Sequence, residues 1–343
     1  MGLLLLVLGA ELLVRGAVRL AAGWQVRQLI VGLTVVGFGS SAPQLAVSLQ
    51  AAYTGAPDIA VGSVFGSNIF SILMVLGLSA LVVPLRVPRQ VIRLDVPLMI
   101  AASFLVFGMA MNQYLGRLEG LLLLGCLLLY LYLLRRQAQR HGRHWRNEPT
   151  STRQRWWPLC VAAMAGGIVL LLLGGHLLLD AAVEIAAEYG LSDRFIGLTI
   201  VAVGTSMPQL ATSLIAAMRG QRDIAVGNVI GGNLFNLLGV LGLTAVIAPA
   251  PLTVSPNALA FDLPVMVAVA ALCLPLFYAG YRVTRFEGLL LLALYAAYGV
   301  HVVAFTTGLG IAGRLEHLMQ FYGLPLLAVS MLLAIVRGLR LSK

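Results

Sequence analysis

Apolar residues run through this chain in blocks of about 20, separated by short polar connectors. A block of that length predicts a membrane-crossing helix, because about 20 residues at 1.5 Å each cross a hydrocarbon layer of about 30 Å. The pattern predicts eleven spans, near 1–22, 28–53, 58–83, 94–112, 117–134, 157–188, 194–217, 223–248, 259–279, 286–306 and 322–338. Barrel strands would alternate over about ten residues instead, so the expected class is an all-α polytopic membrane protein. The one long polar connector, RQAQRHGRHWRNEPTSTRQRW at 136–156, separates a first five-span half (1–135) from a second (157–306). Residues 307–343 then form a C-terminal extension with an extra span. The opening run carries Glu11 and Arg15 where a signal peptide would have a basic start and a small-residue cleavage site, so it reads as the first span.

The two halves repeat one another. Residues 32–77 and 197–242 match at 28 of 46 positions without a gap. RLEGLLLL at 117–124 is echoed by RFEGLLLL at 285–292. An odd number of spans per half makes the second copy enter the membrane from the opposite side. That gives two inverted five-helix repeats, ten core spans in all, an arrangement typical of secondary transporters. A duplication kept for packing alone would preserve small and apolar residues, with no need for the same Pro, Gln, Asn and Ser in both copies.

Composition adds little to this beyond orientation. Hydrophobic residues make up 60% of the chain and charged ones 10%, against about 25% charged in a soluble domain. The net charge of +10 does not indicate nucleic acid, because the basic residues sit in connectors. With 136–156 placed in the cytoplasm, 20 of 23 basic residues fall on that side, leaving Arg117, Arg194 and Arg314 outside. This bias predicts an inner-membrane protein with its N-terminus outside and its C-terminus cytoplasmic. Cys126, Cys160 and Cys273 lack metal-ligand spacing and read as inert buried thiols.

The chemistry concentrates in two polar interruptions per half. The first is GSSAPQ (39–44) and GTSMPQ (204–209), where proline removes a backbone donor and frees a carbonyl inside the span. Ser40, Ser41, Gln44, Thr205, Ser206 and Gln209 place further oxygens beside it. The second is GSVFGSNIFS (62–71) and GNVIGGNLFN (227–236), with Ser67, Asn68, Ser71, Asn233 and Asn236. Polar groups in lipid must find partners, and hard cations such as Na⁺ and Ca²⁺ take neutral and charged oxygens of this kind. A single Ser or Asn would most simply bond a neighbouring helix; the mirrored set predicts a central cation site.

Other polar residues have simpler explanations. Asp58 and Asp223 suit helix caps, Glu119 and Glu287 suit helix starts, and Glu11–Arg15, Asp180–Glu184 and His176 suit structural or interfacial roles. An intramembrane enzyme lacks support, since only His176 and His301 lie in spans and the motif serines have no adjacent base.

On the paired motifs the chain resembles the prokaryotic sodium/calcium exchanger family, within the cation/Ca²⁺ exchanger superfamily, over residues 3–305. The family's repeats read G-T-S-x-P-E followed by G-N-x-x-G-S-N. The resemblance implies broken second, third, seventh and eighth helices around the ions, and exchange of Ca²⁺ for Na⁺ by alternating access as the first and sixth helices slide. It further implies that Ser40, Ser41, Gln44, Ser67 and Ser71 line the site from one repeat, and Thr205, Ser206, Gln209, Gly232 and Asn236 from the other, with Ser40, Gln44, Thr205 and Gln209 as metal ligands. No resident cofactor is implied; the inorganic cations are substrates.

The chain departs from that pattern where it matters most. The motif acid is replaced by Gln44 and by Gln209, and no acid remains at the expected midplane. A unit charge pair at 4 Å is worth about 4 kcal/mol at an effective dielectric near 20, more than an amide dipole returns to a divalent ion. Two readings follow: a cation antiporter moving Ca²⁺ or another cation against Na⁺, or the same fold with a neutral site that carries monovalent cations or protons, or carries ions weakly or not at all.

Overall fold

The computed structural model describes residues 1–24, 26–142, 157–188, 202–278 and 280–306. Ten long helices occur among them: α1 (Gly2–Trp24), α2 (Gln28–Tyr53), α3 (Pro57–Val82), α4 (Val91–Ala110), α5 (Arg117–Gly142), α6 (Trp157–Glu188), α7 (Ala202–Met218), α8 (Arg222–Ile247), α9 (Ala258–Tyr278) and α10 (Arg285–Thr306). Eight of these are long and apolar enough to cross a membrane. Of the other two, α1 carries Glu11, Arg15 and Arg19, and α7 is described over 17 residues. The connector 143–156, the start of the seventh expected span and the eleventh span lie outside the described residues.

Glycine sets how the halves meet. Gly2, Gly9 and Gly16 of α1 face Gly174, Gly167 and Cys160 of α6, so one series rises as the other falls and the two helices run antiparallel. A Cβ on Gly9 would lie 2.8 Å from the carbonyl oxygen of Gly167, and one on Gly167 2.8 Å from that of Gly9. Lipid gives helices no hydrophobic reason to associate, so close approach over small residues supplies the packing energy. The antiparallel pair confirms that the first helices of the two halves point in opposite directions.

The inversion recurs through the bundle. Gly77 of α3 meets Gly288 of α10, and Gly242 of α8 meets Gly120 of α5. Helices α2 and α7 pack against one another, as do α4 and α9. Among the described residues four two-residue strands complete the pattern: β1 (Leu85–Arg86), β2 (Tyr114–Leu115), β3 (Leu252–Thr253) and β4 (Arg282–Val283). β1 pairs with β4 and β2 with β3, both antiparallel. Each ladder joins the turn after the third helix of one half to the turn before the fifth helix of the other, so the two ladders are equivalent to one another, one at each end of the bundle.

Among the described residues the expected helix breaks are not present. Helix α2 continues through Pro43 and α7 through Pro208. The irregularities in the described helices are π-turns at Gly32–Val36, Ser71–Leu76, Val91–Asp95, Phe235–Val240 and Ala258–Asp262. One proline removes one backbone hydrogen bond, a loss that an otherwise continuous helix can carry. Single π-turns commonly mark functional positions in helices, and two of these begin at the paired site residues Ser71 and, one residue earlier, at Phe235 before Asn236.

Candidate functional site

Helices α2, α3, α7 and α8 turn their polar residues inward. All eleven predicted positions are buried: Ser40, Ser41, Gln44, Ser67, Asn68, Ser71, Thr205, Ser206, Gln209, Asn233 and Asn236. The helical spacing explains this locally. Ser40, Ser41 and Gln44 fall on one face of α2, and Ser63, Ser67 and Ser71 repeat every four residues along α3.

Gln44 is held from three directions. Its Nε2 donates to Ser63 Oγ at 2.8 Å and to Ser48 Oγ at 3.3 Å. Its Oε1 accepts from Thr205 Oγ1 of the other half at 2.9 Å. Ser63 spends its own proton on the carbonyl of Ala60 at 2.9 Å, and Ser48 points its proton to the same carbonyl at 3.5 Å. Both hydroxyl oxygens therefore act as acceptors towards Gln44.

Gln209 is fixed similarly but not symmetrically. Its Oε1 accepts from Ser71 Oγ of the first half at 2.6 Å, and its Nε2 donates to the backbone carbonyl of Asn228 at 3.2 Å. Asn228 is held in turn: its Nδ2 donates to Ser213 Oγ at 2.8 Å, and its Oδ1 accepts from Ser40 Oγ at 2.8 Å. A Cβ at Gly232 would collide with Gln209 Nε2. Glycine at 232, where the first repeat has Ser67, is what leaves room for this amide.

A further polar layer joins the halves. Ser67 and Ser206 share a hydrogen bond of 2.8 Å, and Asn236 Nδ2 donates to Ser67 Oγ at 3.2 Å and Asn68 Oδ1 at 3.0 Å. Asn68 and Asn233 turn their amide nitrogens to the thioethers of Met266 (3.8 Å) and Met99 (3.6 Å). Three buried oxygens in this group accept no hydrogen bond: Ser41 Oγ, Asn233 Oδ1 and Asn236 Oδ1. Such oxygens cost free energy unless something electropositive meets them. Among the described residues no three His, Cys, Asp or Glu side chains converge, and the eleven side chains of this centre carry neutral hydroxyl and amide oxygens.

The sequence reading missed the supporting residues Ser48, Ser63, Ser213 and Asn228. Ser48 and Ser213 occupy equivalent places in the repeat, which was the available signal. It also passed over two acids, Asp95, which is buried, and Asp262, which is partly buried. Asp95 Oδ1 accepts from Tyr130 OH at 3.3 Å, and Asp262 Oδ1 accepts from Tyr298 OH at 2.9 Å. Both acids end π-turns at the start of α4 and α9, one helical turn before Met99 and Met266.

The weaker candidates resolve individually. Asp58 and Asp223 lie inside the first turns of α3 and α8, with Ala56 and Gln221 as the N-caps, so they complement the helix dipole instead of capping. Glu119 and Glu287 accept from the backbone N–H of Gly116 (3.0 Å) and Thr284 (2.7 Å), as expected of helix starts. His176 pairs with Asp180 at 2.7 Å on an exposed face. Glu11 binds Arg15 and also Arg219, tying α1 to the turn between α7 and α8.

A polytopic helical bundle with two opposed halves and a shared buried polar centre defines a membrane transporter of the exchanger class. Residues 1–135 and 159–304 match the model of the sodium/calcium exchanger protein family, and the chain belongs to that family. The CaxA protein of Alkalimonas amylolytica is 40% identical over 313 residues, covering 87% of this chain and 95% of that one. The inner membrane protein YrbG of Escherichia coli is 39% identical, covering 78% and 84%. The solved structure of the sodium-calcium exchanger NCX_Mj, soaked with Na⁺ and Ca²⁺, superposes with a TM-score of 0.74 at 29% identity, covering 89% of this chain and 95% of that one. Family and fold together make this a multi-pass membrane protein of a cation-antiporter family.

Proposed function

We propose that this chain is a secondary active cation antiporter whose central site is built for weakly charged demand: it carries Na⁺ readily and Ca²⁺ poorly. Ions bind among Ser40, Ser41, Gln44, Ser67, Asn68, Ser71, Thr205, Ser206, Gln209, Asn233 and Asn236, with exchange by alternating access between the two inverted halves. The reading rests on one observation. Both positions where the family motif has an acid hold amides, and at Gln209 the amide nitrogen is spent on a backbone carbonyl that could not accept a carboxylate. The sodium-calcium exchanger NCX_Mj, solved with Na⁺, Ca²⁺ and Sr²⁺ soaks, supports cations as the cargo of this fold.

A divalent ion losing two carboxylates loses several times the ~4 kcal/mol of one unit pair near the surface. A monovalent ion loses half as much and is served by carbonyl, hydroxyl and amide oxygens. In the cell membrane the proposed orientation has the N-terminus outside and 136–156 and the C-terminus cytoplasmic, supported by the arginine distribution. The halves 1–135 and 157–306 act as the two repeats, with 307–343 as an accessory span.

The test is ion-gradient-driven uptake of ²²Na⁺ and ⁴⁵Ca²⁺ into everted vesicles, with the native chain and with Gln44→Glu/Gln209→Glu. The native chain exchanges Na⁺, and the double variant gains Ca²⁺ uptake. Equal Ca²⁺ uptake by both removes the neutral-site reading. No flux of either ion in either protein removes the antiporter reading.

A further inference from the structure

One end of the bundle carries a cavity of about 350 Å³ lined by Pro84, Arg86, Arg222, Gly280, Tyr281 and Arg282. It contains none of the glutamine-motif residues and draws on both halves: the end of α3, the start of α8, and the turn between α9 and α10. We infer that this cavity binds a phosphate-bearing anion.

Its charge is the first argument. Arg86 and Arg282 stand directly opposite one another in the β1–β4 ladder, and like charges so placed are destabilising unless an anion sits between them. Among the described residues no carboxylate lies within 4 Å of Arg86, Arg222 or Arg282. The adjoining acid Asp223 has Arg27 as its electrostatic partner. Arg222 is also the first residue of α8, so the positive end of that helix adds to the field. Arg89 packs its guanidinium 5.3 Å from the centre of the Tyr281 ring and adds a further positive charge beside the cavity.

The fold's own symmetry supplies the control. At the other end the β2–β3 ladder makes the same turn, with Thr253 in the place of Arg86, Tyr114 in that of Arg282 and Pro57 in that of Arg222. The backbones correspond closely: Tyr281 and Gln113 both take positive φ (56° and 65°), and their carbonyls accept from Val87 (2.8 Å) and Val254 (2.9 Å). The turn therefore folds without arginine. A general excess of basic residues on one membrane face does not require two of them across a two-residue ladder with a third at the same cavity. Planar guanidinium groups converging from three elements match the oxygens of a phosphate group, whether on an anionic lipid headgroup or on a free phosphate.

The test exploits the mirror. In the variant Arg86→Thr/Arg222→Pro/Arg282→Tyr, each arginine becomes the residue at the opposite turn, and an unchanged thermal midpoint checks folding. Purified full-length protein in nanodiscs is measured two ways: retention of spin-labelled phosphatidic acid, and calorimetric titration of inorganic phosphate in purely zwitterionic discs. Native protein binds in at least one arm. The mirror variant weakens that binding by about a hundredfold, from roughly tenfold or less per arginine near a membrane surface, while Arg86→Lys/Arg222→Lys/Arg282→Lys keeps most of it. Binding in the lipid arm alone assigns a headgroup; binding of inorganic phosphate assigns a free anion. Native binding absent from both arms, or equal in native and mirror proteins, overturns the inference. Should the mirror variant unfold, the single Arg86→Thr replacement carries the test, with a loss of about tenfold expected and no change overturning it.

Discussion

The side-chain nitrogen of Gln209 donates to the backbone carbonyl of Asn228 at 3.2 Å. A carbonyl accepts and cannot donate, so this contact requires N–H at position 209. In Gln209→Glu an ionised oxygen would face that carbonyl in a buried site. Leaving buried acceptors opposed costs about 1–3 kcal/mol, more for a charged group. Purified Gln209→Glu unfolds at a lower temperature than the native chain in chelator, and regains that loss on adding CaCl₂. Gln44→Glu is milder, because the partners of Gln44 are hydroxyls that can rotate to donate.

Gly232 and Gln209 form a coupled pair. Gly232→Ser forces the amide off the Asn228 carbonyl, since a Cβ there collides with Nε2. The expected loss of stability is about 1–3 kcal/mol for overpacking. Gln209→Ala removes the obstacle. A double-mutant cycle read by thermal unfolding therefore shows the two changes to be less harmful together than their sum, with a coupling of about 0.5–3 kcal/mol.

The α1–α6 seam offers a packing prediction. Gly9→Leu and Gly167→Leu each drive a side chain into the backbone of the other helix and lower stability by about 1–3 kcal/mol or more. Gly108→Leu, where an added Cβ meets nothing within 4 Å, leaves it nearly unchanged. Comparing the three thermal midpoints in detergent checks this, and transport falls with Gly9→Leu because the two helices can no longer approach.

The paired acids make a fourth prediction. Tyr130→Phe and Tyr298→Phe each leave a carboxyl group, buried at Asp95 and partly buried at Asp262, without the hydroxyl that bonds it, at a cost of about 1–3 kcal/mol. Pairing each with the matching Asp95→Asn or Asp262→Asn recovers part of that cost, because the asparagine needs less compensation. Thermal unfolding of the four single and two double variants measures the recovery.

Much of this was legible in the chain, for identifiable reasons. Span length and the gapless repeat between 32–77 and 197–242 gave the helices and their opposed halves. Every predicted site residue proved buried, because a polar side chain repeated within apolar helices has few places to go. Sequence could not show which amide meets which oxygen: Ser71 bonds Gln209 across 138 positions, and Thr205 bonds Gln44 across 161. The helix breaks were misplaced because proline at 43 and 208 is tolerated, while the π-turns carry no residue signature of their own. Arg86 and Arg282 looked like ordinary connector charges until the β1–β4 ladder set them face to face.

The glutamines are the centre of the account, and equilibrium binding tests them most directly. Calorimetric titration of CaCl₂ and of NaCl into purified native protein and Gln44→Glu/Gln209→Glu isolates the site from the transport cycle. The account predicts Na⁺ binding by the native chain, Ca²⁺ binding weakened at least a hundredfold relative to the double variant, and Ca²⁺ affinity rising once the acids are introduced. Tight Ca²⁺ binding by the native chain, undiminished against the double variant, would contradict it.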